Sequence, residues 1–317
     1  MDGKSCCSPS ASRPEEGGQC DDLVEIPVSP SAGSTAGMVE LGGDRFLMGS
    51  DDELAWKADG EGPVREVSVG KFHLDQTCVT NGAFAEFVEA TGFKTEAEKF
   101  GWSFVFFNQL PKSKQKGAEL VTVQGMQWWA RVEKADWQRP GGPGTNIRKL
   151  GDHSVVHISW NDAVAFARWA GKRLPTEAEW EFAARGGLEQ ALYPWGNELM
   201  PDGKHRCNIW QGEFPRHDTG EDGYTSTAPA KSFRSNDFGI YNSSGNVWEW
   251  TSDWFSSTWQ IHGERDNPQG PATGSSRVIR GGSFLCHDSY CNRYRVSARS
   301  KITPDTSTCH VGFRCAV

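Results

Sequence analysis

Two capped helices stand back to back between Ser159 and Gly187, and they are the longest regular signal in the chain. The first opens on Ser159 with Asp162 three positions on, an S-x-x-D start in which side chain and backbone cap one another. It runs through Ala, Val, Phe and Trp to Trp169, and Gly171 ends it. The second opens behind Pro175 on Thr176 with Glu179, a T-x-x-E capping box, and runs through Trp180 and Ala183 to a stop at Gly186-Gly187. A third helix is expected where Thr80 caps a run that sets Phe84, Phe87 and Val88 on one face and Gly92 closes it. The rest reads as short strands between turns: VELGGDRFLMGS from Val39, the stretch 64–74 around Gly70-Lys71, GNVWEW at 245–250, RVIRGGSFLC at 277–286 and VGFRCAV at 311–317. So little helix in so long a chain predicts an α+β fold made mostly of turns and short sheets. The 36 glycines and 16 prolines supply the turns, and the 14 tryptophans supply apolar area together with an N–H that can bond a loop carbonyl.

Residues 1–36 are rich in Ser, Pro and Gly and read as a flexible tail, leaving 37–317 as one domain. From about 94 to 153 periodicity fades around FVFF at 104–107 and WW at 128–129, a stretch long enough to build a substrate groove. A formal charge of −8 argues against nucleic acid as a partner, and no apolar run approaches the roughly 18–20 residues a bilayer crossing needs. Nine cysteines occur, at 6, 7, 20, 78, 207, 286, 291, 309 and 315, with no pair of CxxC motifs for structural zinc. With no apolar secretory leader in view, a reducing cytoplasm is the expected compartment, although a trimmed secreted precursor would read the same.

The segment RGGSFLCHDSYCNRYRVSARS carries the chemistry. Cys286 and Cys291 lie five positions apart and would face opposite ways on one strand, so they converge only if His287-Asp288-Ser289 makes a turn. Residues 277–317 hold seven Arg and Lys against two Asp, surroundings expected to favour thiolates. The plainer alternative is a structural disulfide or two unrelated core thiols, with the arginines bonded to carboxylates elsewhere.

From about residue 38 onward the chain resembles the formylglycine-generating enzymes, the sulfatase-modifying oxidases. The resemblance rests on F-L-M-G-S, TGFKTEAEKFGWSFVF, HISWNDAVAFARWAGKRLPTEAEWEFAARGG, NIWQGEFP, TGEDGY, GNVWEWTSDWF, GGSFLCHDSYCNRYRVSARS and TPDTSTCHVGFRC. The WNDA…GKRLPTEAEWE portion marks the superfamily fold, and the C-x-x-x-x-C portion marks the oxidase. The resemblance implies a fold related to C-type lectins. It also implies oxidation of the cysteine in a C-x-P-x-R segment of an unfolded sulfatase to formylglycine, with O2 and an external thiol reductant. Cys286 and Cys291 would hold Cu(I), while Ser283, Trp248, His287 and Tyr290 would form and position the oxygen pocket. Calcium would be held by Asn208, the Ile209 carbonyl, Asp222 and the Tyr224 carbonyl, and again by Asn242, the Gly245 and Val247 carbonyls and Glu249. A monomer without membrane or nucleic-acid partners is expected.

Where secretory-pathway relatives carry structural cysteines, this chain has Ala184 and Val296, and Cys315 lacks its expected mate. That points to a prokaryote-like member. Two other readings compete: a non-catalytic sulfatase-binding relative of the same fold, and an iron-dependent sulfoxide synthase of the ergothioneine type. The second needs an additional helical domain with a histidine cluster, and this chain's eight histidines are scattered.

Overall fold

A computed structural model describes Pro9 and residues 27–115, 121–123 and 126–317; Cys6, Cys7 and Cys20 lie outside the described residues. The chain begins with a ribbon bent in two. Strands β1 (Met38–Leu41) and β2 (Asp44–Met48) run antiparallel to β4 (Phe72–Asp75) and β3 (Arg65–Val69) respectively. The bend falls at Gly42-Gly43 on one side and Gly70-Lys71 on the other. A Cβ at Gly42 would lie 2.1 Å from the Gly70 carbonyl oxygen at a φ of +86°, so only glycine fits the corner.

Helix α1 (Asn81–Thr91) is capped by Thr80 and closed by Gly92 in the left-handed conformation, as its sequence predicts. The stretch 94–153 is more regular than its sequence suggests. Helix α2 (Glu96–Phe100) starts on a Thr95/Glu98 capping box, and β5 (Trp102–Phe106) pairs with β7 (Met126–Glu133), which also pairs with β6 (Val121–Val123). A single helical turn, α3 (Lys112–Gln115), lies between β5 and β6. Helices α4 (Trp160–Trp169) and α5 (Glu177–Arg185) both start on complete capping boxes. Phe84 and Phe87 of α1 meet Phe166 of α4 at 5.9 and 5.6 Å between ring centres, and Phe313 closes the same core from the C-terminus.

After α5 the chain is loops, a two-residue hairpin of β8 (Gly212–Glu213) and β9 (His217–Asp218), and then the central sheet. That sheet has the order β12-β11-β10-β13, from β10 (Trp248–Trp254), β11 (Arg277–Arg280), β12 (Arg299–Ile302) and β13 (Val311–Gly312), with a short helix α6 (Trp259–His262) after β10. All its pairs are antiparallel except β10 with β13. The stretch before β13 stitches this sheet to β5, since Cys309 N–H donates to the Phe104 carbonyl at 3.0 Å.

The boundary read at residue 36 falls too late. Ser29 N–H donates to the Trp169 carbonyl at 2.8 Å and Gly33 N–H to the Ala170 carbonyl at 2.9 Å. Those carbonyls end α4 and have no partner within it, so residues 29–33 act as its cap.

Candidate active site

The sheet β5-β7-β6 and the loop after β11 face one another across a small pocket. Cys286, Cys291, Ser283, Trp248 and Tyr290 line it together with Leu285, His310, Phe106, Trp128, Trp129 and Phe214. Both cysteines are 2% exposed. They converge by the turn the sequence requires: the Tyr290 and Cys291 N–H groups both donate to the His287 carbonyl, at 3.0 and 2.7 Å. The Cys286 carbonyl is fixed from outside by Trp210 N–H at 3.0 Å, and its Sγ accepts from Ser283 N–H at 3.4 Å. A backbone donor aimed at sulfur favours an electron-rich sulfur.

Aromatic rings build the opposite wall. Tyr290 stacks on Phe214 at 4.7 Å and meets the edge of Trp128 at 5.1 Å, while Trp129 packs against the His310 ring at 4.8 Å. Trp248 is fully buried, and its indole N–H has no acceptor among the described residues.

The positive charge of the C-terminal segment does not gather at the thiols. Each arginine is spent elsewhere, as the plainer reading of the sequence has it. Arg280 bonds Glu177 at 2.8 Å and Glu181 at 2.5 Å, Arg299 bonds both oxygens of Glu177 at 2.7 Å, and Arg295 bonds both oxygens of Glu61 at 2.7 and 2.8 Å. Arg293 pairs with Asp59 at 2.6 Å and Arg314 with Glu249 at 2.6 Å. Arg277 lies between the Trp160 and Trp254 rings at 3.7 and 3.5 Å, and burial pushes it down to about 10. At five of the six arginines the expected thiolate-favouring field is therefore cancelled by a paired carboxylate, and Arg277 is held by indole rings. The arginines form a frame that holds the loop instead.

His287 departs from its expected place. It lines a neighbouring cavity with His205, Cys207 and Asp288, and its Nδ1 is 2.7 Å from Ser289 Oγ. His310 takes the pocket position instead, with Nδ1 2.6 Å from Thr308 Oγ1. Nothing in STCHVGFRC marks that histidine in advance. The aromatic wall, by contrast, comes from the FVFF and WW stretch whose length alone suggests a groove.

The two sets of residues expected to offer oxygens to calcium meet where Asn246 N–H donates to the Asn208 carbonyl at 2.7 Å. Beside that contact, a Cβ at Gly245 would lie 2.3 Å from the Asn208 oxygen. Asn208 Oδ1 and Asn242 Oδ1 are both buried without a hydrogen-bond partner. Burial raises the Asp222 carboxyl, whose Oδ2 accepts from Ile209 N–H at 3.0 Å and whose Oδ1 accepts from Tyr224 N–H at 2.9 Å. Orphaned amide oxygens beside a carboxylate and backbone carbonyls are the donor set a hard cation takes. Glu249 fits less well, because Arg314 and Trp180 already bond both its oxygens.

Residues 25–317 match the sulfatase-modifying factor enzyme 1-like domain. The chain belongs to that family. The formylglycine-generating enzyme of Thermomonospora curvata is 57% identical over 88% of this chain and 93% of its own length. The enzyme of the same name from Bos taurus is 51% identical over 88% of this chain and 74% of its own. The inactive C-alpha-formylglycine-generating enzyme 2 of Bos taurus is 46% identical over 90% of this chain and 89% of its own. Among solved structures, PvdO from Pseudomonas aeruginosa aligns with a TM-score of 0.61 at 23% identity, over 88% of this chain and 93% of that one. The family fold, with short sheets and few helices, is thus the one seen here. Family membership alone does not separate active from inactive relatives, so the pocket has to.

Cys78, Cys207 and Cys309, given no role from sequence, are buried thiols. Cys309 accepts from Phe106 N–H at 3.3 Å, and burial pushes it up to about 12.

Proposed function

We propose that this chain is a copper-dependent oxidase that converts the cysteine of a C-x-P-x-R segment in an unfolded sulfatase to formylglycine, consuming O2 and an external thiol. The convergence of the buried Cys286 and Cys291 on one aromatic-walled pocket carries the reading. A non-catalytic binder of the same fold has no use for two buried sulfurs meeting in one pocket. The names of the relatives support modification of a sulfatase.

Two thiolates are soft ligands suited to a low-coordinate Cu(I), so Cys286 and Cys291 would hold it. When bound there, Cu(I) would supply affinity for a thiolate and the capacity to activate O2. The chain's own residues shape and dry the site. Phe106, Trp128, Trp129 and Phe214 exclude water, Tyr290 and Ser283 close the cysteine side, and Trp248 offers an indole N–H to a bound acceptor. In the overall change the substrate CH2–SH becomes CHO: its C–S bond and one C–H bond break, a C=O bond forms, and the sulfur leaves as sulfide. O2 accepts four electrons, two from that carbon and two from two external thiols, which leave as a disulfide. One oxygen atom enters the aldehyde and the other leaves as water.

Calcium would sit on Asn208, Asp222 and the Ile209 and Tyr224 carbonyls, and on Asn242 with the Gly245 and Val247 carbonyls, bracing loops rather than reacting. The protein would act as a cytoplasmic monomer. The test is incubation with a C-x-P-x-R peptide, Cu(I), O2 and thiol, with the aldehyde read by mass spectrometry. Full turnover by Cys286→Ser would overturn the reading.

A further inference from the structure

Cys286 and Cys291 are buried behind aromatic rings, and Phe106, Trp128, Trp129 and Phe214 offer an arriving metal ion no ligand. The other side of the same turn does. His287 faces away from the catalytic pocket into a neighbouring cavity of about 200 Å³, lined also by Met200, His205 and Cys207. Four of the twelve residues lining this cavity are Met, His or Cys, where five Met, eight His and nine Cys in 317 residues would by chance place fewer than one. Thioether, imidazole and thiol are the donors a soft cation takes. Met200, His205 and His287 are half-buried and Cys207 is buried, so these donors run from the surface inward.

We infer that Met200, His205 and His287 form a receiving site that takes Cu(I) from outside and hands it to Cys286 and Cys291. This rests on the function proposed above. His287 joins the two places. Its ring lines the cavity while its backbone continues directly from Cys286, and its carbonyl holds the turn that brings Cys291 back. Its Nδ1 lies 2.7 Å from Ser289 Oγ and 3.2 Å from Asp288 Oδ1. The carboxylate favours a proton on Nδ1 over the Ser289 N–H that approaches the same atom at 3.3 Å, and so leaves Nε2 as the ligating atom.

A receiving site has to hold its cargo loosely. Among the described residues no three His, Cys, Asp or Glu side chains gather into a closed metal site, and low-coordinate Cu(I) needs only two donors at a time. Burial raises the Cys207 thiol, which stays protonated and does not trap the ion. Two thiolates bind Cu(I) more tightly than imidazole and thioether do, so the transfer runs toward Cys286 and Cys291. Copper remains Cu(I) throughout: imidazole and thioether are exchanged for two sulfurs, and the two thiol protons leave to solvent.

The test offers the full chain Cu(I) held by a coloured chelator without oxygen and follows the loss of colour by stopped flow. Met200→Leu combined with His205→Gln should slow copper uptake about tenfold, the low end of what a metal site loses with its supporting groups. Copper bound at equilibrium, and turnover by enzyme loaded beforehand, should not change. Lys204→Gln, next to His205 but removing no soft donor, should alter none of these. A second arm uses Cys286→Ser with Cys291→Ser, which lacks the final site. That protein should still take up one Cu(I), with nitrogen and sulfur neighbours in X-ray absorption, and should lose it when Met200→Leu and His205→Gln are added. Uptake at the wild-type rate by the Met200 and His205 variant overturns the inference. So does a Cys286 and Cys291 variant that takes up no copper, or that keeps it without Met200 and His205. Copper held by the second protein while the wild type makes no aldehyde would leave this inference standing and count against the oxidase.

Discussion

Glu249→Gln asks whether a buried carboxylate serves an arginine or a cation. Glu249 Oε2 accepts from Trp180 Nε1 at 2.7 Å and Arg314 Nε at 2.6 Å, and Oε1 accepts from an Arg314 terminal nitrogen at 2.7 Å. Both side chains of the pair are 0% exposed. Glutamine keeps the shape and one acceptor but leaves the guanidinium without a counter-charge in a dry interior. Breaking a buried pair from one side costs about 3–5 kcal/mol. Arg314 also donates to the carbonyls of Asp75, Gln76 and Tyr241, which places the loss at the low end, about 3 kcal/mol. In a chain of this length the melting temperature should fall by about 6 °C. Melts followed by fluorescence or calorimetry, with calcium and with chelator, should show the same fall in both. A fall under about 2 °C refutes the pairing argument. A fall that disappears in chelator would instead make Glu249 a cation ligand.

Two further outcomes follow from burial. His157 donates from Nε2 to the Pro140 carbonyl at 2.8 Å and sits with Nδ1 2.7 Å from Ser103 Oγ, and burial pushes it down to about 4. Between pH 6.5 and 4 the unfolded chain takes a proton that the folded ring refuses, so stability falls with acid by up to about 3 kcal/mol. Nitrogen NMR should find the ring neutral at pH 5, and a midpoint near 6.5 would sink the argument. Ala184 and Val296 are buried in one cluster with Trp180. In oxidising buffer the pair Ala184→Cys and Val296→Cys should close a loop of about 110 residues and add about 4 kcal/mol, read as a denaturant midpoint that drops on reduction. Failure to crosslink, seen by mass spectrometry without reductant, would separate the two positions.

Helix starts were legible in the sequence because a capping box is local: Ser159 with Asp162 and Thr176 with Glu179 announce themselves within four residues. Thr95 with Glu98 carries the same signal for α2, but five helical residues leave no periodicity to draw the eye. The cysteine turn was readable for the same local reason. The fate of the arginines was not, since Arg295 meets Glu61 across 234 positions and only the folded chain shows that the local charge is cancelled. Nor could spacing tell His287 from His310. Which ring enters the pocket is set by the turn at His287 and by the strand beside β10, and neither ring's direction is written in its own neighbourhood.

The arginine frame orders events in time as well as in space. The loop bearing Cys286 and Cys291 is flanked by Arg280 and by Arg293, Arg295 and Arg299, whose carboxylate partners Asp59, Glu61, Glu177 and Glu181 lie about 100 to 240 residues earlier. A ribosome delivers those acids long before it delivers the thiols. Those carboxylates stay solvated until the last forty residues bring their arginines, and the two sulfurs share a pocket only once that pairing is made. The pocket that gathers Cys286 and Cys291 is thereby among the last parts of the fold that can form.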